Sequence, residues 1–81
     1  MRLPRDLSGP ELAKALSKLG YQITRQTGSH MRLTTADHGE HHLTIPNHAS
    51  LRVGTLAAIL SEVAAHFQIS REDLIEQLFN K

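Results

Sequence analysis

Three short segments between Tyr21 and Ile45 alternate apolar and polar residues with a period of two, and turn-forming residues separate them. No other feature constrains the fold as much, because a strand with one apolar face must be paired along its edges and covered on that face. Tyr21 and Ile23 point one way while Gln22, Thr24 and Gln26 point the other, which predicts a strand over residues 21–27. Gly28-Ser29 makes a tight turn, after which Met31 and Leu33 take the apolar face and His30, Arg32 and Thr34 the opposite one. Ala36 to Glu40 carries turn chemistry, and a third strand runs from His41 to Ile45 with Leu43 and Ile45 inward and His42 and Thr44 outward. Two hairpins then give an antiparallel three-stranded meander. One face is apolar; the other is lined by Gln26, His30, Arg32, His42 and Thr44.

Helix signals stand on both sides of the strands and supply the cover. Ser8-Gly9-Pro10-Glu11 has the form of a capping box, with Leu7 and Leu12 placed for a hydrophobic staple. Leu12, Ala15, Leu16 and Leu19 follow at helical spacing and Gly20 is a stop, so a helix is expected over about residues 9–19 with Lys14 and Lys18 on its exposed side. Pro46 ends the third strand and Asn47 to Ser50 forms a loop. Gly54-Thr55 opens a second helix, Thr55 serving as N-cap, with a stripe at Leu56, Ile59, Leu60, Val63 and Phe67. Ser70 to Asp73 repeats the capping logic for a short third helix over about residues 70–80, carrying Leu74, Ile75 and Leu78. The fold class is α+β in the order α-β-β-β-α, a three-stranded antiparallel sheet with helices on one face, plus the C-terminal helix. Eighty-one residues read as a single domain, with its core over about residues 8–67. A chain of this size buries only about 60% of its unfolded surface, so function is expected on an exposed face rather than in an enclosed pocket.

Composition narrows the chemistry. The chain has no cysteine, which removes disulfides, thiolate metal sites and thiol catalysis together. No apolar run approaches the roughly 20 residues of a membrane span, and Met1 to Asp6 lacks the apolar region of a signal peptide, so a cytoplasmic address is expected. The net charge of +1 hides a division: residues 1–35 hold six basic and two acidic side chains, residues 36–81 three basic and six acidic. The first part presents a mildly cationic surface suited to a polyanion.

His30 opens the second strand directly after the Gly28-Ser29 turn. Gly28-Ser29-His30-Met31 also matches a cloning scar, but it lies inside an alternating pattern that continues through Leu33 and is native. A histidine gains and loses a proton near neutral pH, and the flanking strands fix its ring while the turn amides of Gly28 and Ser29 lie close enough to help hold an anion. RNA brings its own nucleophile, the 2′-hydroxyl, so a protein that cleaves it needs an acid–base group and positive charge on the phosphate. His30 is the candidate for the first and Arg32, on the same face, for the second. Arg25, Lys14 and Lys18 are candidate RNA contacts or ordinary solvated charges. Asn47 and His48 are secondary candidates, with bonding inside their own loop as the simpler alternative.

Gly28-Ser29-His30 at the second strand, Pro46-Asn47-His48 after the third, and Gly54-Thr55-Leu56 followed by Ile59-Leu60 in the second helix together resemble the HicA toxins, over roughly residues 8–60. These are small bacterial and archaeal mRNA interferases paired with HicB antitoxins. The resemblance implies a fold like the double-stranded-RNA-binding domain, metal-independent cleavage of mRNA with His30 essential and no cofactor, and a HicB-type antitoxin as partner through which any contact with DNA is indirect. Family members often pass from the Ile-Leu pair to a glycine-ended helix, whereas here Ser61 to Gln68 intervenes, so the second helix is expected to be about one turn, 5.4 Å, longer.

Other readings of the same residues stand beside this one. A histidine at a strand start is commonly a solvated surface residue. His38, His41, His42 and His48 invite a metal site, but strand alternation sends His41 and His42 to opposite faces, and no metal is expected. A non-catalytic RNA-binding module of similar fold, or a protein-interaction domain, would show the same pattern; an aromatic content of 4% argues against a reader that stacks bases.

Overall fold

The helix stripes and alternating segments become the elements of one α+β fold in a computed structural model that describes residues 3–79. Helix α1 (Gly9–Leu16) continues into a 3-10 turn (Ser17–Leu19); strands β1 (Gln22–Gln26), β2 (His30–Thr35) and β3 (His41–Pro46) follow, then helices α2 (Val53–Phe67) and α3 (Arg71–Phe79). The capping box forms as its residues require: Ser8 Oγ accepts from the Glu11 N–H at 3.1 Å, and Glu11 Oε1 accepts from the Ser8 N–H at 2.9 Å. The Ser8 backbone donor, then its side chain, hold the Glu11 carboxyl below the usual range. Gly20 turns the chain from helix to sheet at φ +84°, where a Cβ would also press on Asp37 Oδ2 and Thr35 Oγ1.

The sheet is an antiparallel meander in the order β1-β2-β3. Met31, Leu33, Leu43 and Ile45 form its buried face, joined in one core to Leu12 and Leu16 of α1, Leu56, Leu60 and Val63 of α2, and Leu74, Ile75 and Leu78 of α3. The start of α1 meets the end of β3 so closely that a Cβ on Gly9 would run into the Pro46 carbonyl oxygen, and the Gly9 N–H donates to the His48 carbonyl at 2.9 Å. No single helix among the described residues is long and apolar enough to cross a membrane.

Two local expectations are corrected. Helix α2 starts at Val53, before Thr55, with extended Arg52 (φ −66°, ψ 145°) as an N-cap that supplies no side-chain hydrogen bond. It ends at Phe67, where Gln68 adopts φ +57° in the place a glycine commonly fills. The larger departure is in β1. Ile23 pairs with Leu33 and Arg25 with Arg32, so Thr24 is an extra, bulged residue and the alternation slips by one. Gln26 consequently stands opposite Met31 on the helix side of the sheet rather than on the outer face, and Ile23 remains 48% exposed at the uncovered edge. Helix α3 covers Arg71–Phe79; Asn80, the expected last residue, lies outside the described residues.

Candidate active site at the first hairpin

The bulge sets the composition of the outer face. With Thr24 accommodated as an extra residue, Arg25 shares the face of His30, Arg32 and Thr44, and these four with Thr27 line a shallow cleft of about 180 Å³. Thr24 Oγ1 lies 3.1 Å from Thr34 Oγ1 and donates to the Arg32 carbonyl at 3.3 Å, which ties the bulged residue to β2.

The turn below the cleft is built by Thr27. Its N–H donates to the His30 carbonyl at 2.9 Å, and its hydroxyl accepts from the His30 N–H at 3.3 Å, so one residue closes the hairpin from both sides. Gly28 has no left-handed backbone, and a Cβ there would meet nothing within 4 Å, which leaves the main chain beside His30 open to solvent. Ser29 Oγ lies 2.9 Å from His30 Nδ1. That contact holds one imidazole nitrogen and leaves Nε2 for chemistry. A hydroxyl suits the position because it accepts from a protonated Nδ1 and donates to an unprotonated one.

Asn47 fastens the turn to the end of β3. Its N–H donates to the Ser29 carbonyl at 2.8 Å and its Nδ2 to the Gly28 carbonyl at 3.4 Å, so it binds the His30 turn rather than its own loop. His48, the next residue, is exposed at the same end of the sheet. Lys14 on α1 and Lys18 in the 3-10 turn that follows it lie across the sheet from His30, and Lys18 Nζ donates to the Leu78 carbonyl at 2.8 Å near the end of α3. The contributions of Thr27 and of Asn47 escape a reading by composition; the Thr-x-x-His spacing, which lets a hydroxyl meet the N–H three residues on, is the local signal for the first.

The remaining histidines take other positions. His42 bridges Thr34 and Glu40 at 2.7 Å each on the outer face. At the far end of the sheet His41 stacks on His66 with centroids 4.5 Å apart, and its ring nitrogens meet Tyr21 Oη at 2.7 Å and Glu62 Oε2 at 3.1 Å. Burial, then the nearby Glu62 charge, push the Tyr21 hydroxyl up to about 12, so it stays protonated at neutral pH in its hydrogen bond with His41 Nδ1. Among the described residues no three His, Asp or Glu side chains are grouped to hold a metal ion.

Comparison with known proteins supplies the context for this hairpin. No curated protein and no solved structure matches the chain. Residues 9–64 match the family model described as the HicA toxin of bacterial toxin–antitoxin systems, a span that contains α1, the sheet, the His30 turn and most of α2. With well over half of its length matched, the chain belongs to the HicA toxin family and is the toxin of a toxin–antitoxin pair.

Proposed function

We propose that this toxin is a metal-independent mRNA interferase, an endoribonuclease that acts in the cytoplasm through His30. The observation that carries the reading is His30 itself: an imidazole fixed at Nδ1 by Ser29, with Nε2 left for substrate, on the rim of an open cleft that it shares with Arg32. In the reaction the 2′-hydroxyl of a ribose attacks the adjacent phosphorus and the bond to the departing 5′-oxygen breaks, leaving a 2′,3′-cyclic phosphate. His30 transfers a proton at one of these oxygens, a role that typically contributes about 10²–10⁴-fold. Arg32 steadies the phosphate charge as it grows, with the turn amides of Gly28 and Ser29 beside it. One titrating group implies modest turnover, which is enough for a toxin that needs only to cut messages faster than they are replaced. A HicB-type antitoxin neutralises it by denying RNA access to the outer face.

The test is cleavage of a long mRNA in EDTA by the purified chain and by His30→Ala. The native chain is expected to cut and the variant, folded to the same extent, to lose at least about 10²-fold in rate. Intact RNA that both chains still bind, with a steep dependence on salt, would replace this reading with that of a binding module.

A further inference from the structure

Folding alone leaves two features of the outer face unexplained. Arg25 and Arg32 are cross-strand partners, so two guanidinium groups stand opposite one another on an exposed surface. Like charges in this relation destabilise a sheet. Neither joins the ion pairs formed among the described residues, His41–Glu62 and His42–Glu40. The second feature is how they come together: in a regular ladder Thr24 would oppose Arg32, and Arg25 would oppose Met31 on the helix side. The bulge substitutes an unfavourable pair for a neutral one.

We propose that Arg25 and Arg32 form a two-guanidinium clamp for an RNA phosphodiester, which makes Arg25 a phosphate-binding residue beside His30. The inference rests on the reading of this face as the RNA-cleaving surface. A guanidinium is a planar fork that matches a pair of phosphate oxygens, and it holds its charge at every working pH. Two of them approaching one anion from neighbouring strands exchange mutual repulsion for attraction, so the pair is adverse in the free protein and favourable in the complex. The cleft is small, about 180 Å³, and its other lining groups are Thr27, His30 and Thr44, with no carboxylate to compete for the guanidiniums and no Phe, Tyr or Trp ring to stack a base. Such a site grips backbone and leaves the bases unread. Charge on the phosphoryl oxygens grows toward the transition state, so the clamp acts on kcat as well as on binding.

The experiment compares the native chain with Arg25→Gln, Arg25→Lys and Arg32→Gln by thermal melting, with and without inorganic phosphate, and by cleavage of a defined RNA. In phosphate-free buffer Arg25→Gln is expected to melt higher than the native chain, because the repulsion is gone. Added phosphate is expected to raise the native midpoint and leave those of both Gln variants where they were. Cleavage by Arg25→Gln is expected to fall by about 10–100-fold, with Arg25→Lys recovering part because it keeps charge without the fork. Native-rate cleavage by Arg25→Gln, or equal stabilisation of all chains by phosphate, would overturn the clamp. A native chain that leaves RNA whole would refute the nuclease reading instead, and the phosphate arm of the melting series would still decide whether the two arginines hold an anion.

Discussion

At the scale of single residues, the orientation of the His30 ring is tied to an adjacent hydroxyl. Ser29 Oγ is 2.9 Å from Nδ1, and both side chains are exposed, so the contact orders the ring without contributing to the core. When Nδ1 carries the proton and donates to Ser29, Nε2 has a free lone pair and is a base. When Nε2 is protonated as well, the ring is an imidazolium: Nδ1–H still donates to Ser29, and Nε2–H is an acid. In the proposed reaction Ser29 would therefore hold Nδ1–H through both the base and the acid form of His30. Ser29→Ala is expected to keep the native melting midpoint and to reduce kcat by roughly fivefold, the equivalent of one lost hydrogen bond of about 1 kcal/mol, with little change in KM. Ser29→Thr, which restores a hydroxyl, is expected to recover most of the loss. Steady-state cleavage by the three chains checks this, and a native kcat for Ser29→Ala would show that the contact plays no part in turnover.

At the scale of elements, what was legible in the sequence was whatever is decided locally. The Ser8–Glu11 capping box, the α1 and α2 stripes and the alternation of β2 and β3 all come from interactions between residues a few positions apart. The bulge at Thr24 is different in kind, since one extra residue in a period-two pattern becomes visible only once the partner strand fixes the register. That is why Gln26 and Arg25 exchanged faces relative to strict alternation. Asn47 bonds Gly28 and Ser29 from 18 or more positions away along the chain, and no local pattern encodes that link. The end of α2 is a case where local chemistry and structure disagree. Gln68 at φ +57° donates its N–H to the Ala65 carbonyl at 3.2 Å, and Ile69 donates to Ala64 at 3.1 Å, the pair of bonds that usually surrounds a glycine. A side chain in this left-handed position costs about 1 kcal/mol. Gln68→Gly is therefore expected to stabilise the fold by about that amount, read as a higher urea midpoint with an unchanged slope, and an unchanged or lower midpoint would show that the Gln68 side chain compensates the strain elsewhere.

At the scale of the whole molecule, the sheet has an open hairpin end and an anchored end. The hairpin end carries His30, Arg25 and Arg32, all exposed, on the two strands joined by a hydrogen-bonded turn. At the anchored end Tyr21, only 1% exposed, packs edge-on against both His41 and Phe67, and its hydroxyl links the start of β1 through His41 to Glu62 on α2. Because burial keeps the folded Tyr21 protonated up to about 12, while an unfolded tyrosine ionises near 10, the unfolded chain releases a proton that the folded chain retains between those values. Stability from this group is complete below pH 10 and is lost as pH rises toward 12. Tyr21 is the only tyrosine in the chain, so the near-ultraviolet phenolate absorbance reports it alone. The native chain is expected to ionise late and together with unfolding. Tyr21→Phe is expected to lose about 1 kcal/mol at neutral pH, because His41 Nδ1 is left without its hydrogen-bond partner, and to show a shallower fall in stability between pH 10 and 12 than the native chain. Phenolate absorbance rising near pH 10 while the far-ultraviolet signal still reports a folded chain would show instead that the hydroxyl is solvated and that the link from β1 to α2 is not closed in solution.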